Sequence, residues 1–328
     1  MKNRFNYILY KLKKVKFRYV PFKHIEINNL FKDKDFKDII NSKDIGIPKK
    51  INSKTLINCL FENGYKCINF PGSVTSVSAY LNWRKNKKKQ KYNNSSCEGF
   101  GMTFRLKRAE TDIIIELMEF LASKEFQKTL SKKFNINLKE VTYDQGIQKY
   151  LDGYEISPHP DLRKKALTFM ININTSEKSS EENYHTQYLE FKNNRRYVQE
   201  YWKGNPYAER CWIPWDWCIT KKKQNFNNSI VIFSPSFDTL HAIKANYLHF
   251  KNQRTQIYGN LWYKKGKGYN FKNSNQDLDW KQLDFQPKVK GQTQNYSFVQ
   301  KIFNKIKKLN NRKLENKLID RSRKDNYR

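Results

Sequence analysis

Apolar residues in this chain of 328 residues change their spacing partway along. Residues 109–134 carry Ile113, Leu117, Phe120 and Leu121 at helical intervals and predict the clearest helix. Ahead of it, residues 51–83 alternate short apolar stretches with Gly and Pro, as in Phe70-Pro71-Gly72, and read as a mixed region feeding the main domain. Segment 84–98 is basic, then Asn- and Ser-rich, and reads as an exposed loop. After the helix, period two takes over. Leu167, Phe169, Ile171 and Ile173 fall on one face of a strand, with Thr168, Met170, Asn172 and Asn174 on the other. Ile230-Val231-Ile232-Phe233 is a compact run of the fully buried kind. Arg254, Gln256, Tyr258 and Asn260 share one face of a further strand through Tyr263. Helices followed by many short strands predict a mainly β fold with α support, a sandwich or jelly roll.

Composition modifies this picture in two places. Apolar residues are only 38% of the chain, but aromatics reach 15%, and their large rings let a sizeable core form. The formal charge is +33, and the two ends carry about half of it. Residues 1–24 hold eight Lys or Arg and no acid, and residues 301–328 hold eleven bases against three acids. Such a surface is read first as solvated periphery and second as a docking face for an anionic partner through the basic termini. Residues 1–45 are therefore expected to be a peripheral basic extension. Residues 46–270 should form the main domain, and 271–328 a polar linker with a basic tail, helical over 301–320.

Cys59, Cys67, Cys97, Cys211 and Cys218 form no CxxC pair, which argues against a disulfide framework or structural zinc and for a reducing, cytoplasmic setting. No apolar run approaches the ~18 residues of a transmembrane helix.

Five histidines stand at 24, 159, 185, 241 and 249. In Pro158-His159-Pro160-Asp161 the imidazole and carboxylate are two residues apart, so an extended backbone points both to one side, as two ligands of one metal require. Alone, an HxD is a weak signal. Its surroundings add to it: Tyr150-Leu151-Asp152-Gly153 reads as a turn upstream, and Thr239-Leu240-His241 follows the buried strand 230–233. Arg254 opens the next strand thirteen residues later.

Tyr150, Gly153, His159, Asp161, Ile173-Asn174, Phe233-Ser234-Pro235, His241 and Arg254, in that order, resemble the pattern of the 2-oxoglutarate/Fe(II) dioxygenase superfamily in its prolyl-hydroxylase-like branch, over roughly residues 100–265. The resemblance implies a double-stranded β-helix (jelly-roll) core with supporting N-terminal helices. It also implies Fe(II) on His159, Asp161 and His241, and 2-oxoglutarate as cosubstrate with its far carboxylate on Arg254. Two imidazoles and one carboxylate leave the open positions that non-haem Fe(II) oxygenases use for 2-oxoglutarate and O₂, and a planar guanidinium suits a bidentate carboxylate. No catalytic residue beyond the metal ligands is implied. Tyr150 is either a cosubstrate contact or a core tyrosine. His185 reads as a core or neighbouring His, and Trp212-Ile213-Pro214-Trp215-Asp216-Trp217 as packing or a cap over the pocket mouth. Gln256 stands where the family often has Ser, which leaves that secondary carboxylate contact open.

The function expected is hydroxylation of an unidentified substrate with release of succinate and CO₂. The alternatives are a cupin-type oxygenase without 2-oxoglutarate, against which Arg254 speaks, and a basic nucleic-acid or anionic-surface binder on a non-catalytic jelly roll. The sequence shows no RNA- or DNA-binding signature for the latter.

Overall fold

The computed structural model describes residues 3–86, 99–205, 208 and 210–264. Helices and strands mix in its first half: α1 (Tyr7–Lys14), β1 (His24–Asn28), α2 (Asp33–Asn41), α3 (Ser53–Glu62), β2 (Tyr65–Ile68), α4 (Val77–Asn86), β3 (Thr103–Leu106), α5 (Asp112–Ala122) and α6 (Lys124–Phe134). The second half is almost all strand: β4 (Val141–Tyr150), β5 (Glu155–His159), β6 (Lys165–Asn172), β7 (Gln187–Phe191), α7 (Arg196–Gly204), β8 (Cys218–Lys223), β9 (Ser229–Phe233), β10 (His241–Lys244) and β11 (Arg254–Tyr263). The helix expected over 109–134 is two helices. Ser123 adopts an extended backbone (φ −65°, ψ 149°), and its Oγ accepts from the Phe126 amide at 3.2 Å, capping α6.

Pairing from β4 onward runs outside-in. All of these pairs are antiparallel: β4 with β11, β5 with β10, β6 with β9, and β7 with β8. The strands divide between two sheets, of order β1-β9-β6-β11-β4-β3-β2 and β5-β10-β7-β8. A ribbon of four such pairs rolled into two sheets is a jelly roll, or double-stranded β-helix. Strands β1, β3 and β2 widen the first sheet beyond the roll.

Alternation in the large sheet sends its two faces to different fates. Leu167, Phe169 and Ile171 on β6 and Ile257 and Leu261 on β11 join a core with Ile114, Leu117, Phe120, Phe126 and Leu130 of α5 and α6. The opposite face, including Thr168, Met170, Gln256, Tyr258 and Asn260, looks toward the small sheet and lines a cavity. The fold thus stacks helices, large sheet, cavity and small sheet.

The expected basic extension is not peripheral over its described residues, 3–45. Phe5, Ile8, Leu12, Ile25, Leu30, Phe31 and Ile39 all lie in the main core, and β1 pairs with β9 from Ile27↔Ile230 to His24↔Phe233. The spacing of Phe5, Ile8 and Leu12 puts them on one helical face, while Lys11, Lys13 and Lys14 occupy its last turn. The stretch is thus basic and partly amphipathic, and its apolar side is core. The proposed helix over 301–320, and Cys97, lie outside the described residues. No helix among the described residues is long and apolar enough to cross a membrane.

Candidate metal centre and anion pocket

β5 ends at His159, where Pro160 removes the next ladder amide, and β10 begins at His241. The two histidines are direct partners in the β5–β10 ladder, so their rings meet with centroids 4.5 Å apart. Asp161, two residues past His159, completes the group: one ligand atom from each of the three falls within 4.8 Å of the others. All three residues are buried. The sequence-predicted triad is therefore brought together.

Each imidazole is oriented from behind. His159 Nδ1 lies 2.7 Å from the Ser157 carbonyl and His241 Nδ1 3.1 Å from that of Thr239. A ring that donates its Nδ1–H turns the lone pair of Nε2 inward, as a metal ligand must. Burial pushes His159 down to about 3, with His241 adding to the effect, and burial likewise lowers His241. Both rings are thus neutral at physiological pH and ready to bind a cation.

Asp161 has both oxygens held: Oδ1 accepts from Lys165 Nζ and Oδ2 from Thr168 Oγ1, each at 2.8 Å. Burial alone would raise its pKa, but the Lys165 ammonium beside it outweighs that and holds the carboxyl below the usual range. Thr168 Oγ1 also lies 2.9 Å from Asn260 Oδ1, which brings the carboxylate close to β11. Neither Lys165 nor Thr168 was singled out as an orienting residue from sequence. The signal available was their placement four and seven residues after Asp161 on the strand that carries the alternation.

Arg254 lies at the start of β11, 3% exposed, and faces the same cavity of about 200 Å³ as the triad. Its Nη2 donates to Thr186 Oγ1 at 3.0 Å, and its guanidinium sits 4.4 Å from the centroid of the Tyr150 ring. None of the ion pairs among the described residues includes it. Tyr150 is buried but lines the cavity, so it belongs to the pocket as well as to the core. Gln256 turns its Nε2 to Asn172 Oδ1 at 2.8 Å, and Thr186, unnoticed in the sequence, supplies the hydroxyl beside the guanidinium.

The remaining residues singled out earlier sort as follows. His185 is buried next to the pocket without lining it, and burial followed by the charge of Arg254 pushes it down to about 4. The Trp-rich segment packs along β5: the Ile213 amide donates to the Pro158 carbonyl at 2.9 Å and Trp215 Nε1 to Glu155 Oε1 at 2.7 Å. Trp212 stands beside His159, with centroids 6.3 Å apart. The tryptophan that lines the cavity is instead Trp262, whose Nε1 donates to Asp144.

No family model and no curated protein matches the chain. Solved structures to which it is similar include a prolyl-4-hydroxylase from Pseudomonas putida, at 8% identity and TM-score 0.33, covering 64% of this chain and 98% of that one. Another is a prolyl hydroxylase from Trichoplax adhaerens in complex with a hypoxia inducible factor peptide fragment, at 11% and 0.40, covering 79% and 89%. A third is an oxidoreductase of the 2OG-Fe(II) oxygenase family from Burkholderia pseudomallei, at 6% and 0.28, covering 66% and 92%.

Proposed function

We propose that the chain is an Fe(II)- and 2-oxoglutarate-dependent oxygenase that hydroxylates a primary substrate and releases succinate and CO₂. The observation that carries this is Arg254. An always-charged guanidinium, almost wholly buried and without a carboxylate partner among the described residues, is costly unless an anion joins it. Its cavity also contains a neutral-His, neutral-His, carboxylate donor set. A ligand with a metal-chelating keto acid at one end and a carboxylate at the other satisfies both requirements, and 2-oxoglutarate is such a molecule.

The residues divide the work accordingly. His159, Asp161 and His241 would hold Fe(II), with Ser157, Thr239 and Thr168 fixing their orientation. Arg254, with Thr186 and Tyr150, would take the far carboxylate. Bound iron with 2-oxoglutarate and O₂ would supply the oxidising chemistry; the protein's part is to orient the cosubstrate and keep the cavity closed to bulk water.

Anaerobic addition of 2-oxoglutarate to the full chain with one equivalent of Fe(II) tests the proposal. A weak visible charge-transfer band is expected, together with succinate formation on admitting air. A protein that binds Fe(II) but gives neither band nor succinate would leave the cupin-type reading in its place.

A further inference from the structure

The cavity holds a second guanidinium that the oxygenase reading leaves unused. Charged side chains lining it, other than the histidines, are Arg254, Arg105, Lys165, Asp144 and Asp161. Lys165 is paired with Asp161. Asp144 accepts from two neutral donors, Asn260 Nδ2 at 2.9 Å and Trp262 Nε1 at 2.8 Å. No ion pair among the described residues includes Arg105.

Arg105 is nonetheless held in a built position. It comes from β3, outside the eight strands of the roll, opposite Gln148 of β4. Matching donors to acceptors assigns the Gln148 carboxamide its oxygen toward Arg105 Nε (3.2 Å) and Nη2 (2.8 Å) and its nitrogen toward Tyr150 Oη (2.5 Å). Gln148 is itself 1% exposed. The guanidinium carbon lies 4.9 Å from the centroid of the Tyr258 ring. That ring lies across β4 at Gly146, where a Cβ would come to 2.8 Å of it, so the glycine leaves room for the aromatic platform. Arg105, Gln148, Tyr150 and Arg254 thus form one connected row with a guanidinium at each end.

2-Oxoglutarate has two carboxylates. In the oxygenase reading one goes to the metal and the other to Arg254, so neither reaches Arg105. We propose that Arg105, on its Gln148 and Tyr258 support, is an anion subsite for the primary substrate, which presents a carboxylate or phosphate group from the β3 side of the cavity; this rests on the oxygenase reading of the same pocket. The half-buried position of Arg105, against the closed one of Arg254, fits a site that opens toward an incoming molecule.

The test uses the full chain loaded with Mn(II) and saturating 2-oxoglutarate, with inorganic phosphate and ¹³C-labelled acetate as separate probes. The readout is paramagnetic relaxation of the ³¹P or ¹³C nucleus, which reports only anions close to the metal and ignores those on the basic surface. Enhanced relaxation is expected for one or both probes and identifies the group preferred. In Arg105→Met the affinity for that probe should fall roughly tenfold or more, as loss of a charge-assisted pair implies, with partial recovery in Arg105→Lys. The 2-oxoglutarate affinity of Arg105→Met should stay within about twofold of the parent, which also shows that the variant is folded. No enhancement for either probe, displacement of the probe by 2-oxoglutarate, or a tenfold weaker 2-oxoglutarate affinity in Arg105→Met would overturn the subsite. A parent that takes up no Mn(II), or takes it up but not 2-oxoglutarate, would instead sink the oxygenase reading, and the subsite with it.

Discussion

Arg254 and Tyr150 face each other directly across the β11–β4 ladder, the last strand of the roll against its first, and the guanidinium lies 4.4 Å from the ring centroid. The ring supports the cation without neutralising it, so the charge stays available to an anion in the cavity.

Replacing Arg254 with Met should therefore weaken 2-oxoglutarate binding by on the order of 2–5 kcal/mol, roughly 30-fold or more, as expected for a desolvated charge-assisted pair. Metal affinity should change little. Titration of the Mn(II)-loaded protein with 2-oxoglutarate separates the two effects, and equal affinity in variant and parent would reassign the clamp.

Thr168→Val keeps the shape of the side chain but removes the hydroxyl that holds Asp161 Oδ2. Losing an orienting partner of a metal ligand typically costs about 10- to 100-fold in affinity, so metal binding should weaken by that factor with the fold intact. His159→Ala combined with His241→Ala should abolish it. Calorimetry with Mn(II) checks both, and undiminished binding in the double variant would rule out the triad.

Leu12 is fully buried against the helices of the main core, although it sits in the basic N-terminal stretch. Leu12→Ala should destabilise the protein by roughly 2–5 kcal/mol. Deleting residues 1–45 removes a whole edge strand and the α1 face, and should give insoluble protein. A soluble, metal-binding product beginning at residue 46 would show that the core does not need them.

Lys149 points to the helix side of the large sheet, where its Nζ donates to the Ile45 carbonyl at 2.8 Å and Thr255 Oγ1 at 2.9 Å. Burial pushes its ammonium down to about 7. Below pH 7 both folded and unfolded chains carry the proton, and the cost of the buried charge is at its full value. Between about pH 7 and the ordinary lysine value near ~10.4 the unfolded chain binds more protons, so stability rises with pH across that window. Urea denaturation from pH 6 to 9.5 should show this rise in the parent and its loss in Lys149→Met. Parallel curves would mean the lysine is charged throughout.

Much of the site was legible because its residues obey a local rule. His159 and Asp161 are two apart on an extended segment, and Arg254, Gln256, Tyr258 and Asn260 alternate as an inward face of β11. What stayed hidden depends on pairing between distant strands. Thr186 meets Arg254 only because β7 and β11 lie in opposed sheets, and Arg105 reaches the cavity only because β3 extends the large sheet beyond β4. The N-terminal core residues were obscured for another reason: lysines crowd the same stretch as Phe5, Ile8 and Leu12, and composition does not separate the two. The break at Ser123 was hidden because apolar spacing continues across it.

The outside-in pairing also sets an order of birth. During synthesis the chain emerges with β4 exposed, and its roll partner β11 appears only when residues 254–263 leave the ribosome. Contacts so far apart in sequence form slowly. β3 covers one edge of β4 in the meantime, through the pairs Thr103↔Tyr150 to Arg105↔Gln148. A nascent chain therefore contains all three candidate metal ligands before it contains Arg254. Termination anywhere in residues 242–253 would leave a polypeptide that contains His159, Asp161 and His241 but lacks both the strand that joins β4 to β6 and the anion clamp.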